Sequence, residues 1–286
     1  MILKDRIAII TGSSIGFGKE VAKKFIAEGS TVVMCARNYK KLHEAFLELN
    51  KNLSEGQKVL PIKCDVSKTK DIKSLVNRTL SEFNRVDILV NNAGIYGPKG
   101  LIEDVDWNEW KKAIEINLYG VISMCREIIP YMKQNKYGKI INLSGGGATA
   151  PMPRISAYAA SKAAVVRFTE TIAEECKEFN IDINAIAPGP LNTRLLEEIL
   201  SAGPTNVGKV FFDKSLKQKE SGGAPLEIGA ELCVYLASSE SDGITGKLIS
   251  AIWDNWKNFK SFKSELMCSD IYTLRRITEK DRGKNW

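Results

Sequence analysis

The chain has 286 residues, of which 44% are hydrophobic and 26% charged, and its formal net charge is +7. It is long enough for one large α/β domain or two small ones, and its composition is that of a globular protein. The single histidine, His43, argues against a histidine-based triad or metal cluster, so no metal site is expected.

The six cysteines are scattered, which indicates reduced thiols and not a disulfide framework. No apolar run approaches the roughly 20 residues of a membrane span, and the N-terminus lacks the plan of a signal peptide. We therefore expect a cytoplasmic protein without a membrane partner. Residues 257–286 hold eight Lys or Arg against four acids. No basic stripe is interleaved with aromatic residues, so no nucleic-acid partner is expected.

Short β-branched runs alternate with longer amphipathic segments along the chain. Strands are predicted at 7–10, 31–35, 58–62, 86–90, 139–143, 181–187 and, as a sheet edge, 247–250. Helices are predicted at 16–27, 39–51, 69–83, 107–134, 157–179 and 225–237. This alternation predicts a Rossmann-type, doubly wound parallel sheet of about seven strands in a three-layer α/β/α sandwich.

The predicted domain plan is a single catalytic domain over residues 1–256, followed by a basic C-terminal extension over 257–286. Within the domain, residues 190–224 are poor in periodicity and rich in glycine and proline. Such a stretch predicts an irregular loop that binds or covers the substrate.

The first strand runs into the sequence Thr11-Gly12-Ser13-Ser14-Ile15-Gly16-Phe17-Gly18 and then into a helix. Its three glycines let the backbone turn tightly and approach a pyrophosphate, while the helix N-terminus offers amide donors and a positive dipole end. The segment therefore predicts a dinucleotide site.

Tyr158 and Lys162 lie four residues apart in a segment without helix breakers, so a helix would place both on one face. An ammonium beside a phenol favours the phenolate and lowers the pKa of the tyrosine. A phenol with such a pKa can exchange a proton with a carbonyl oxygen. The pair alone is also typical of a solvated helix face, and the other motifs of the chain decide between a catalytic role and a surface position.

The order of motifs resembles the short-chain dehydrogenase/reductase family, in its shorter single-domain branch, over about residues 4–251. The Gly-x-x-x-Gly-x-Gly spacing, Asp65-Val66, Asn91-Asn92-Ala93-Gly94, Asn117, Tyr158-x-x-x-Lys162 and Pro188-Gly189 follow in the family's order. The resemblance implies a cofactor site made by Gly12, Ser14, Ile15, Gly16, Gly18, Arg37, Asp65, Val66, Asn91, Ala93, Gly94, Tyr158, Lys162, Pro188, Gly189 and Thr193.

The resemblance also implies a catalytic set of Tyr158, Lys162, Asn117 and Ser144. Tyr158 would supply the proton, Lys162 would lower its pKa and hold the nicotinamide ribose, and Asn117 would support a proton relay. The family's serine lies thirteen residues before the tyrosine, where this chain has Gly145. Ser144, one place earlier, is the expected donor to the carbonyl. A backbone amide or Thr149 is the alternative.

The end of the second predicted strand favours NADP(H) over NAD(H). Ala36 stands where an acidic residue would bind a ribose 2′-hydroxyl, and Arg37 follows, whose guanidinium can pair with a 2′-phosphate. Ile15 departs from this pattern, since many NADP-preferring relatives carry a basic residue at its position.

The predicted activity is hydride transfer between NADP(H) and a small-molecule carbonyl or secondary alcohol. Reduction of a 3-oxoacyl thioester and reduction of a sugar- or polyketide-like ketone are both open. A cofactor-binding sensor or scaffold with little turnover is the alternative of another class. The long helices at 107–134 and 157–179 resemble those that form family interfaces, so a homodimer or homotetramer is expected. In the extension, Arg275 and Arg276 are candidates for binding an anionic substrate group.

Overall fold

The computed structural model describes residues 1–284 and 286. Seven parallel strands form one sheet in the order β3-β2-β1-β4-β5-β6-β7. The strands are β1 (Ile7–Thr11), β2 (Thr31–Ala36), β3 (Val59–Lys63), β4 (Ile88–Asn91), β5 (Gly138–Leu143), β6 (Ile181–Ala187) and β7 (Leu248–Ser250). The strand order reverses between β1 and β4, which is where doubly wound sheets bind ligands.

Helices cover both faces of the sheet. They are α1 (Gly16–Ala27), α2 (Tyr39–Leu49), α3 (Thr69–Phe83), α4 (Trp107–Ile114), α5 (Gly120–Asn135), α6 (Ser156–Cys176), α7 (Arg194–Val207), α8 (Lys209–Glu220), α9 (Leu226–Ala237) and α10 (Lys263–Cys268). A π-helical turn, Glu115–Tyr119, joins α4 to α5 without a break. None of the described helices is both long and apolar enough to cross a membrane.

The core lies in two layers, one on each face of the sheet. In β1, Ala8 and Ile10 belong to the layer shared with α1 and α9, while Ile9 belongs to the layer shared with α3, α5 and α6. Strands buried on both faces read as continuous apolar runs, as β1 does. The three-layer Rossmann-type fold predicted from the sequence is confirmed.

The segment 190–224 differs from the prediction. It was expected to be irregular, and this is wrong, because α7 and α8 occupy most of it. Gly203 kinks α7 with φ of 75°, and Gly208 separates the two helices with φ of 83°. Ile199 and Val207 are buried in a small apolar cluster separate from the two core layers. The glycines that obscured the periodicity therefore divide a helical segment into pieces.

The C-terminal extension packs against the body of the protein. Trp256, Phe259 and Leu266 are buried in the same layer as α1 and α9. Leu248 of β7 donates a backbone hydrogen bond of 2.7 Å to the carbonyl of Tyr272, so the extension runs beside the last strand. The extension thus covers its own subunit.

Candidate active site

A cleft of about 1150 Å³ opens at the carboxyl ends of the strands. The predicted site residues that line it are Gly12, Ser14, Ile15, Gly16, Gly18, Arg37, Val66, Ala93, Gly94, Ser144, Tyr158, Lys162, Pro188, Gly189 and Thr193. Asp65 lines a neighbouring depression, while Asn91 and Asn117 are buried behind the wall. The topology therefore brings most of the predicted set to one place.

The glycine loop between β1 and α1 is held tightly against the end of β4. A Cβ atom on Gly12, whose φ is 66°, would lie 2.9 Å from Ala93 Cα, and one on Gly18 would lie 2.6 Å from the Gly12 oxygen. Asn92 fixes the loop by donating from Nδ2 to the carbonyl oxygens of Thr11 (2.8 Å) and Gly12 (3.2 Å). This loop leaves room for backbone but not for side chains, and it ends at the N-terminus of a twelve-residue helix. It fits a pyrophosphate-bearing dinucleotide.

Cations border the cleft beyond the end of β2. Arg37 and Lys41 are both exposed and both line it. A neighbouring depression of about 390 Å³ is lined by three cations, Arg37, Lys63 and Lys68, by two acids, Asp65 and Asp71, and by Ser74. This end of the cleft is therefore suited to an anionic group.

Asp65 is half-buried, and burial alone would raise its pKa. Hydrogen bonds from the Ser67 hydroxyl and amide, together with the charges of Arg37 and Lys112, lower the pKa overall. Its Oδ1 accepts both Ser67 bonds, at 2.8 and 3.1 Å. Asp65 is thus ionised and turned partly towards its own loop.

Tyr158 and Lys162 lie on α6 and are buried, as the four-residue spacing predicts. Lys162 Nζ donates to the Leu143 carbonyl at 2.6 Å and lies 5.6 Å from the centre of the Tyr158 ring. Burial lowers the pKa of Lys162 to about 8. Burial also raises the pKa of Tyr158, where the sequence predicted a lowering by the lysine. The phenol is therefore protonated at neutral pH in this arrangement.

Asn117 lies in the π-helical turn, a departure from regular α-helix that often accompanies function. Its Oδ1 accepts from the Ile95 amide at 2.9 Å, and its Nδ2 donates to the Ile95 carbonyl at 2.8 Å and to Ser161 Oγ at 3.0 Å. The side chain therefore holds the segment after β4 in place.

Asn91 is likewise occupied within the fold. Its Nδ2 donates to Asn142 Oδ1 at 2.9 Å and contacts Cys125 Sγ, which ties β4 to β5 beneath the cleft.

Ser144, the serine predicted as the donor, is buried, and its hydroxyl donates a long hydrogen bond of 3.5 Å to the Lys162 carbonyl. The residue that faces the phenol is Gly145, because a Cβ atom built on it would overlap the Tyr158 hydroxyl and lie 3.3 Å from Cζ. Thr149 is exposed and also lines the cleft.

Several residues of the cleft were missed by the sequence reasoning. Tyr96 packs edge-on against Tyr158, with ring centres 4.7 Å apart. Arg194 donates to the Gly94 carbonyl at 3.3 Å and so links α7 to the segment after β4. Trp253, Asp254, Tyr272 and Thr273 add a wall from the end of the chain. Only Tyr96 carried a signal, since it closely follows the Asn-Asn-Ala-Gly motif.

Arg275, a candidate for anion binding, is paired inside the extension. It lies 2.8 Å from both Asp270 and Asp281. Its guanidinium and the Thr278 hydrogen bonds hold the pKa of Asp281 far below its usual range. The guanidinium is therefore neutralised by its own segment.

The doubly wound sheet and its glycine loop define a dinucleotide-binding α/β protein with a tyrosine and a lysine beside the nucleotide cleft. Residues 6–203 match the family described as short chain dehydrogenase. The chain belongs to this family, whose members are oxidoreductases acting on CH–OH or carbonyl groups.

Two curated relatives are similar over most of their length. The 3-oxoacyl-[acyl-carrier-protein] reductase of Thermotoga maritima is 32% identical over 252 residues, which cover 87% of this chain and 97% of the relative. The 3beta-hydroxysteroid dehydrogenase 1 of Eggerthella lenta is 35% identical over 257 residues, with 85% and 91% covered. Among solved structures, levodione reductase superposes with a TM-score of 0.79 at 26% identity, covering 86% of this chain and 96% of that one.

Proposed function

We propose that this chain is an NADP(H)-dependent reductase of ketones, with Tyr158 as its general acid. The observation that carries the proposal is the placement of Tyr158, with Lys162 one helical turn further on, in the wall of a cleft that fits a dinucleotide. A phenol in this position can give its proton to the oxygen of a carbonyl while the hydride is added to the carbon.

The bound cofactor would supply a hydride to the carbonyl carbon. Gly12, Gly16 and Gly18 would hold its pyrophosphate, and Lys162 would hold the nicotinamide ribose. Tyr158 donates its proton to the carbonyl oxygen as that oxygen gains negative charge. Its hydroxyl makes no hydrogen bond within the described part of the chain, so it is free to bind substrate.

The activity test is oxidation of NADPH across a panel of carbonyl compounds, with Tyr158→Phe as the variant. Removing the acid should lower kcat by a factor of about 10² to 10⁴. Tyr131→Phe is the matched control, since Tyr131 is an exposed tyrosine on α5, 38% accessible. A Tyr158→Phe enzyme as active as Tyr131→Phe would overturn the mechanism.

The preference for NADP(H) is supported by Arg37 and Lys41 at the end of the cleft and by Lys63 and Lys68 in the adjoining depression. A guanidinium paired with a phosphate forms strong, charge-assisted hydrogen bonds. Asp65 and Asp71 lie in the same depression, but Asp65 Oδ1 accepts from Ser67 and Asp71 Oδ2 accepts from the Asp65 amide at 3.0 Å.

This preference is tested by titrating the protein with NADPH and NADH and measuring cofactor fluorescence. Arg37→Asp should raise the Kd for NADPH at least about ten-fold, which corresponds to about 1.4 kcal/mol, and leave the Kd for NADH nearly unchanged. Lys40→Asp is the matched control, because Lys40 is an exposed cation nearby that does not line the cleft. Equal effects of the two substitutions would contradict a specific role for Arg37.

A 3-oxoacyl thioester is the second substrate class, favoured by similarity to the 3-oxoacyl-[acyl-carrier-protein] reductase over 97% of that protein. The competing class is a bulky cyclic ketone, favoured by the relative named as a steroid dehydrogenase and by the apolar side chains of Met152, Ile199, Phe211 and Trp253 in the cleft. The panel should therefore contain acetoacetyl-coenzyme A, a steroid ketone and a small sugar ketone, and kcat/KM ranks them.

We also infer a homodimer or homotetramer in the cytoplasm. Trp107 and Tyr119 on the α4–α5 segment are each 58% exposed, so this segment carries aromatic surface that a second copy of the chain could cover. All six cysteines are thiols. Light scattering during size-exclusion chromatography measures the oligomer, and cell fractionation the location.

A further inference from the structure

The loop residue that faces the Tyr158 hydroxyl is a glycine, Gly145. Gly145 lies thirteen residues before Tyr158, and it presents no side chain to the phenol. A Cβ atom at this position would overlap the Tyr158 hydroxyl. The phenol therefore occupies the volume of a residue-145 side chain, and this loop position offers no hydroxyl to a substrate.

The two other hydroxyls of that loop are poorly placed to replace it. The hydroxyl of Ser144 is buried against α6, where it bonds to the Lys162 carbonyl. Thr149 is exposed and lies after the short 3₁₀ turn Gly146–Ala148.

Tyr96 lies directly against Tyr158. Its ring meets the Tyr158 ring edge-on, with centres 4.7 Å apart and planes at 61°. The side chain lines the same cleft, and its hydroxyl makes no hydrogen bond within residues 1–284. Burial, helped by the negative charge of Glu198, raises the pKa of Tyr96 to about 12, so the phenol keeps its proton at neutral pH.

The backbone on both sides of Tyr96 is fixed. Asn117 binds the amide and the carbonyl of Ile95 with the two ends of one side chain, at 2.9 and 2.8 Å. Gly97 follows with φ of 75°, and a Cβ atom there would lie 2.7 Å from Ala113 Cβ. Tyr96 thus projects from a segment that cannot easily shift, as a preorganised donor requires.

We propose that the Tyr96 hydroxyl is the second hydrogen-bond donor to the substrate's carbonyl oxygen, in the role that a serine at position 145 would fill. The inference rests on the proposed reductase function. Tyr158 gives its proton to the carbonyl oxygen. Tyr96 donates a hydrogen bond to that oxygen and keeps its own proton. The bond strengthens as negative charge builds on the oxygen, so it acts mainly on the transition state.

The test is Tyr96→Phe, which keeps the ring against Tyr158 and removes only the hydroxyl. With the ketone that the wild-type enzyme reduces best, kcat should fall about 10²-fold, as for loss of one oxyanion donor. The Kd for NADPH and the KM for the ketone should each stay within about three-fold, because the bond acts chiefly in the transition state. Tyr131→Phe, which removes the hydroxyl of an exposed tyrosine outside the cleft, should leave kcat within about three-fold of wild type.

Two results overturn the inference while leaving the reductase function intact. One is a Tyr96→Phe enzyme with wild-type kcat beside an inactive Tyr158→Phe enzyme. The other is a Tyr96→Phe enzyme whose only change is a higher KM, which would make Tyr96 a binding contact. If Tyr158→Phe itself is fully active, the proposed function fails, and the role of Tyr96 fails with it.

Discussion

Replacing Lys162 by methionine should abolish reductase activity while leaving the fold as stable as before, or more stable, at neutral pH. The lysine is buried on α6, and burial lowers its pKa from 10.5 to about 8. One pKa unit corresponds to about 1.4 kcal/mol, so holding the ammonium in place costs the folded state about 3 kcal/mol below pH 8.

The methionine variant would avoid this cost, but part of the stability that it gains is offset by other losses. The hydrogen bond from Nζ to the Leu143 carbonyl is lost, and a buried carbonyl without a partner costs about 1–3 kcal/mol. Methionine has a similar length and fills the same channel, so little cavity energy is added. We therefore expect a free energy of unfolding at pH 7 between equal to wild type and about 2 kcal/mol above it.

The pH dependence gives the sharper result. Between pH 8 and 10.5 the unfolded wild-type chain binds more protons at Lys162 than the folded chain does, so stability rises with pH in this window. The unfavourable burial is present in full below about pH 8 and disappears above about 10.5. The free energy of unfolding of wild type minus that of Lys162→Met should therefore increase by about 3 kcal/mol across the window.

Urea unfolding of both proteins at four or five pH values measures this difference, and subtracting the variant removes the titrations that the two share. Lys177→Met, which removes an exposed lysine, is the control for loss of one charge. A difference that stays flat with pH, or the same trend in the Lys177→Met protein, would refute the idea that burial of Lys162 controls its charge.

Two further predictions concern the glycine loop and a buried ion cluster. Gly18→Ala would overlap Asn92 Nδ2, so we expect about 1–3 kcal/mol of lost stability and a raised Kd for NADPH, measured by thermal melts and cofactor titration; an unchanged Kd would contradict it. Lys139 is 1% exposed and lies 2.7 Å from both Asp182 and Asp242, whose side chains are 11% and 55% exposed. Asp182→Ala should therefore cost about 3–5 kcal/mol in urea unfolding and Asp242→Ala only about 1. Equal losses would show that exposure does not decide the strength of these pairs.

Strand and helix positions could be predicted from the sequence where apolar residues recur with the period of a strand or of a helix. Helix α3 lies at 69–83 as predicted and ends at Asn84, whose backbone is left-handed. Strand β6 lies at 181–187 as predicted and directly follows Asn180, which is also left-handed. In α7, by contrast, the pattern was hidden, since Gly203 interrupts the helix and its buried residues face a small cluster apart from the main core.

Some residues of the candidate site could likewise be predicted from the sequence, and others could not. The motif residues Gly12, Tyr158 and Lys162 reach the cleft because motifs at the ends of parallel strands meet at one edge of the sheet. The family's thirteen-residue spacing pointed to Gly145 as the residue opposite the phenol, which is where the structure places it, but the prediction of Ser144 as the donor assumed a shift of one residue in this loop. The position of Tyr96 beside Tyr158 is likewise a tertiary contact between distant segments.

The C-terminal extension makes the far end of the chain part of the active-site wall, because Tyr272 and Thr273 line the cleft while Tyr272 also holds the last strand. The residues proposed to act in catalysis and the proposed cofactor loop all come from the first 193 positions. Changes at Tyr272 or Thr273 would thus alter the shape of the substrate entrance without touching the residues proposed to perform the reaction.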